Sequence, residues 1–123
     1  MKELNGQGGT LPEEVAELSL LEVFLLEQGG VGSTIPSTWG RLSELKRLDL
    51  DFEFLEGAIP ETVYDLTKLR QLDLNDNMLT GTISTKLGNL EKLYFFQVMN
   101  NQLTGTVPDE IENLRNCKWK SLI

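Results

Sequence analysis

Leucine recurs at positions 18, 42, 66, 90 and 114, always 24 residues apart, with no insertion or deletion between copies. A fixed period of this length constrains the fold more than any other feature of the chain, because it requires one supersecondary unit built repeatedly and stacked. Aligned on those leucines, each unit places apolar residues in the same columns. Residues 66–89 contribute Leu66, Leu69, Leu72, Leu74, Leu79, Ile83 and Leu87; residues 42–65 contribute Leu42, Leu45, Leu48, Leu50, Leu55, Ile59 and Val63. The flanking units give Leu18, Leu21, Phe24, Leu26, Val31, Ile35 and Trp39, then Leu90, Leu93, Phe96, Val98, Leu103, Val107 and Ile111. Every one of these positions is apolar in a chain that is only 40% apolar. Leu72 and Leu74 stand two apart, the strand period, so both point to one side. The expectation is one short strand per unit, roughly residues 71–75 in the third, with successive strands parallel and about 4.8 Å apart. A single unit cannot bury its own apolar side, whereas stacked neighbours can.

Polar and small columns complete the unit. Asn5, Asn77 and Asn101 share one column, where an amide can donate to a carbonyl and accept from an N–H as the chain leaves the strand. Gly29 and Glu53 occupy that column in the first two full units, so the ladder of amides is expected to be broken there. Gly9, Gly57, Gly81 and Gly105 form a second column suited to a turn with positive φ, with Ser33 the departure. Pro12, Pro36, Pro60 and Pro108 follow three residues later and suit an extended back segment, with Ser84 the exception.

The segments "LTKLRQLDLNDNMLTGTISTKLGN" at 66–89 and "LTGTVPDEIENL" at 103–114 resemble the leucine-rich repeat family in its 24-residue plant-type form. That resemblance implies an α/β repeat solenoid, a right-handed superhelix with short parallel strands on its concave face, and a binding role. It spans a single domain, 1–123: a partial unit at 1–17, full units at 18–41, 42–65, 66–89 and 90–113, and a partial unit at 114–123. Members with this repeat type include receptor-kinase ectodomains, receptor-like proteins and polygalacturonase inhibitors. The paired cysteines that cap many members are missing; Cys117 falls in a core leucine column and reads as a small buried hydrophobe. The partial units point to a piece of a longer array, and the rival reading is self-capping by Lys2 and Lys120 in the first and last strands.

Composition narrows the chemistry. A net charge of −8 argues against nucleic acid as a partner, since phosphate binding needs a basic face. No apolar run is long enough to span a bilayer, so no membrane insertion by this chain is expected. Residues 1–10 do not read as a secretory signal. Histidine is absent, which removes the commonest general base and nitrogen ligand for metals. No catalytic residue, metal or cofactor is expected.

The strand residues between the inward columns form the candidate site. Asp49, Asp51, Asp73, Asn75 and Asp76 make its middle acidic, with Glu27 alongside. Phe95, Gln97, Met99 and Trp119 make the C-terminal part aromatic and apolar. Lys46, Arg47, Lys68, Arg70, Lys92 and Lys118 border the strand entry. Asp49 and Asp73 share a column on adjacent strands, where like charges oppose each other. They are read either as a solvated acidic face eased by Arg47 or as a patch for a cationic peptide or protein. Calcium held by Asp49, Asp51, Asp73 and Asn75 has no loop motif behind it, and no cleft supports glycoside hydrolysis by a carboxylate pair. The function expected is a protein or peptide recognition module in a receptor-like or cell-surface protein. The alternatives are an inhibitor of a secreted enzyme and a carbohydrate-active enzyme using the acidic face. The expected partner carries a basic segment beside an apolar anchor, with Phe95 and Trp119 receiving the anchor.

Overall fold

The computed structural model describes residues 9–114. Asn5, Cys117, Lys118, Trp119, Lys2 and Lys120 lie outside the described residues.

Each period contributes one strand to a parallel sheet: β1 (Val23–Leu25), β2 (Arg47–Asp49), β4 (Gln71–Asp73) and β6 (Phe95–Gln97), in the spatial order β1-β2-β4-β6. Register follows the 24-residue period, with Phe24, Leu48, Leu72 and Phe96 side by side. The strands are three residues long, ending two residues before the sequence reading placed the end of β4. A second, two-stranded parallel sheet pairs β3 (Glu56–Ala58) with β5 (Met78–Thr80) beyond the bend. The sequence reading did not anticipate it.

On the opposite side the chain makes five-residue 3₁₀ turns: η1 (Glu13–Glu17), η2 (Ser37–Arg41), η3 (Glu61–Asp65), η4 (Thr85–Asn89) and η5 (Asp109–Asn113). The proline column supplies the extended residue that opens four of them; Pro60, for example, has φ −60° and ψ 141°. Ser84 opens the fifth, and its hydroxyl accepts from Lys86 N. Unlike proline it carries an N–H, which donates to the hydroxyl of Tyr64 at 3.3 Å. Tyr64 is buried in the preceding unit, and burial pushes its phenol up to about 12.

Of the apolar columns, only Leu18, Leu21 and Val107 escape full burial, and Leu18 is exposed. The rest form one continuous core running along the stack. Each fully buried leucine contributes about 1.5–3 kcal/mol, and most of that comes from neighbouring units. Trp39 is the largest fully buried side chain among the described residues. Its ring meets Phe24 edge-on at 4.9 Å, and its Nε1 donates to Pro12 O at 2.9 Å, so the buried indole leaves no orphan donor.

The bend after each strand is held by the asparagine column. Asn77 Oδ1 accepts from Leu55 N at 3.0 Å in the previous unit, and its Nδ2 donates to Leu50 O, Leu74 O and Asn75 O. Asn101 repeats the pattern one unit on, from Leu79 N to Leu74 O, Val98 O and Met99 O. The expected break through the first two full units is corrected by Glu53. Its side chain is buried, Oε1 accepts from Val31 N at 3.0 Å, and Oε2 accepts from Gly29 N at 2.8 Å. The carboxylate is longer than an asparagine amide and reaches two N–H groups instead of one. Gly29 makes the room: a Cβ there would sit 3.1 Å from Glu53 Oε1 and 3.1 Å from Leu26 Cδ1. The two departures from the column are therefore one complementary pair.

The bend also forces a left-handed residue in every unit: Gln28, Phe52, Asp76 and Asn100 have φ of 52°, 55°, 60° and 58°. Asp and Asn tolerate that conformation. A bulky aromatic there is strained, at a cost of about 1–2 kcal/mol.

Candidate functional site

The open face of the four-stranded sheet carries the side chains between the buried columns. Arg47, Gln71 and Phe95 stand in one row across the strands, and Leu25, Asp49, Asp73 and Gln97 in the next. Asp49 and Asp73 are thus directly paired, as their spacing requires. Asp49 is almost covered: its Oδ1 accepts from Asp51 N at 3.3 Å and its Oδ2 meets the Arg47 guanidinium at 3.5 Å. Glu27, Asp49 and Asp51 bring carboxylate oxygens within 4.8 Å of one another. Glu27, placed only alongside by sequence, is therefore part of the acidic centre.

Asn75 is buried and fully engaged. Its Nδ2 donates to Gln97 Oε1 at 2.6 Å, and its Oδ1 accepts from Met99 N at 2.6 Å. Asp76 Oδ1 accepts from Asn100 Nδ2 at 2.8 Å. Asn75, Asp76 and Gln97 are thus held in a hydrogen-bonded framework at the site. Phe95 and Met99 are half-buried, and Trp119 lies outside the described residues. Two residues of the basic border pair with the preceding unit: Lys46 with Glu22, whose carboxyl it holds below the usual range, and Lys68 with Glu44 at 2.7 Å. Such exposed pairs contribute little to stability.

Repulsion in the acidic centre has a measurable consequence. Burial, reinforced by Asp49 and then by Asp73 and Glu27, pushes the Asp51 carboxyl up to about 7, and burial likewise raises Asp73. An acid whose pKa is raised on folding binds its proton more tightly in the folded state, so this stability is fully present below the unfolded value of 3.8. It is lost as pH rises through about 7. The urea midpoint should therefore fall as pH rises from about 4 to about 7, and Asp51→Asn should flatten most of that decline. An unchanged pH slope in Asp51→Asn would contradict this.

The sequence places Phe52 just beyond its strand but assigns it no role, and it does not single out Phe54 or Met78. The largest exposed apolar side chains at the strand exit are Phe52, 53% exposed, and Phe54, 56% exposed; Met78, also exposed, stands in the Phe54 column one unit on and pairs with Glu56 in the two-stranded sheet. Their columns supply the signal: Gln28, Asp76 and Asn100 stand where Phe52 does, and Gly30 and Gln102 where Phe54 does.

Residues 43–103 match the family model described as leucine rich repeat. No curated protein matches the chain. Among solved structures, a TDR receptor is 33% identical with a TM-score of 0.87, over 89% of this chain and 19% of that one. The plant peptide hormone receptor RGFR1 in complex with RGF2 is 30% identical with a TM-score of 0.89, over 92% of this chain and 18% of that one. The leucine-rich repeat ectodomain of the receptor kinase SOBIR1 from Arabidopsis thaliana is 30% identical with a TM-score of 0.86, over 91% of this chain and 60% of its own. The chain spans about a fifth of the length of the first two.

Proposed function

We propose that this chain, which belongs to the leucine-rich repeat family, is a recognition module of a receptor-like protein and uses the open face of its sheet to hold a protein or peptide segment carrying positive charge. The observation that carries the reading is the acidic centre: Glu27, Asp49 and Asp51 gathered together, Asp73 in register beside them, and among the described residues only Arg47 paired against them. One structural relative is a plant peptide hormone receptor in complex with RGF2, which supports a peptide as the kind of ligand. A binding module also fits better than a catalyst, because the carboxylates lie on an open sheet face where neither water exclusion nor a cleft would set one acid against the other.

A library of random short peptides displayed on phage is the probe. Peptides selected on the wild-type chain should be enriched in Arg and Lys. Their binding should fall at least about tenfold, a loss of about 1.4 kcal/mol, on the triple variant Asp49→Asn, Asp73→Asn, Phe95→Ala. Equal binding to that variant would place recognition on the 3₁₀ side or the lateral strands instead.

A further inference from the structure

Phe52 is the least comfortable residue of its column. Its φ of 55° is a conformation that Asp76 and Asn100 adopt readily in the following units and a phenylalanine does not. Its ring is not used in the core, since more than half of the residue remains exposed. Phe54 is equally exposed, and Gly32 beside it adds no side chain that would cover it; a Cβ there would meet Phe54 Cβ at 3.5 Å. Glu53 between the two rings points inward and supplies the bend, so the fold's own requirement at this place is met by the residue between them. A strained aromatic left more than half exposed is the kind of outlier that points to function.

The surroundings define what such a surface accepts. Asp51, adjoining Phe52, has one oxygen covered by protein yet without any hydrogen-bond partner, and Glu27 and Asp49 lie within reach of it. Arg47 meets Asp49, and no cation meets Asp51 or Glu27 among the described residues. A guanidinium matches this arrangement on two counts. Its planar face stacks on an aromatic ring, and its N–H groups pair with carboxylates. Phe54 and Met78, further along the strand exit, then offer apolar surface to the next side chain of the same segment.

We propose that the Phe52–Phe54 edge is the apolar anchor site of this module, and that its occupant is a peptide or protein segment presenting an arginine next to an apolar side chain, the arginine stacked on Phe52 and paired with Glu27 and Asp51. This rests on the recognition reading of the sheet face and moves its apolar anchor from Phe95 to the strand exit.

The test uses the same displayed library. Selected peptides should carry arginine adjacent to an apolar residue. Replacing that arginine by citrulline should weaken binding on the order of tenfold or more. Phe52→Asn, which suits the left-handed backbone, should weaken binding similarly while its urea midpoint stays at or above that of the wild type. Loss of binding on Asp49→Asn, Asp73→Asn with no loss on Phe52→Asn would overturn the anchor site and leave the acidic-face reading standing. Peptides insensitive to all of these variants would overturn both. A Phe52→Asn chain that unfolds at lower urea than the wild type would make the ring structural and also overturn the proposal.

Discussion

Glu53→Ala is expected to destabilise the chain by about 2–5 kcal/mol, the largest loss from any single polar side chain in the described stack. The reason is positional. Gly29 N and Val31 N both donate to the Glu53 carboxylate, the second bond is buried, and an alanine leaves both without a partner. Hydrogen bonds to a charged group are stronger than neutral ones, and a buried donor left empty incurs its full desolvation cost. Glu53→Asn gives a sharper result. The amide is long enough for the single N–H that Asn77 and Asn101 each satisfy, but it is shorter than the carboxylate that spans two. It should cost about 1–2 kcal/mol, against a naive expectation that restoring the repeat's own residue would help. Urea unfolding of the two variants decides between these accounts, and a Glu53→Asn chain as stable as the wild type would show that the Gly29 bond contributes nothing.

Asn77→Ala should cost about 2–4 kcal/mol. The side chain is buried, links three segments of two units, and leaves Leu55 N and the carbonyls of Leu50, Leu74 and Asn75 short of partners when removed. The loss should appear as cooperative melting of the whole stack, because each unit is held mainly by its neighbours. A harmless Asn77→Ala would mean that core packing alone fixes the bend.

What the sequence made legible follows from what a column can record. Leu48, Leu72 and Phe96 identify the strands and their register because burial repeats at the same place in every unit. The asparagine column identifies the bend for the same reason. A device used once is invisible in a column. Glu53 reads as a defect until Gly29, a unit earlier, is set beside it, and the pair makes sense only in three dimensions. Ser84 reads as a missing proline until Tyr64 brings its hydroxyl to the freed N–H.

The site was legible in part. Alternation placed Asp49 and Asp73 side by side, and the register agrees. It could not reveal that Asn75, Asp76 and Gln97 are occupied by hydrogen bonds to their neighbours, because alternation reports direction and not partnership. Nor could it single out Phe52, whose interest depends on a backbone angle. The polar residues in the rest of that column were the available hint.

The most direct test of recognition by charge on the sheet face is the salt dependence of the association rate for a selected arginine-bearing peptide. Opposite charges steer encounter, and salt screens that steering over roughly 10 Å at about 0.1 M. The wild-type rate should fall steeply as salt is raised. Asp49→Asn with Asp73→Asn should bind more slowly at low salt and show a much flatter dependence, with its unfolding midpoint no lower than that of the wild type. A double variant that kept the wild-type rate and the wild-type slope would contradict the account.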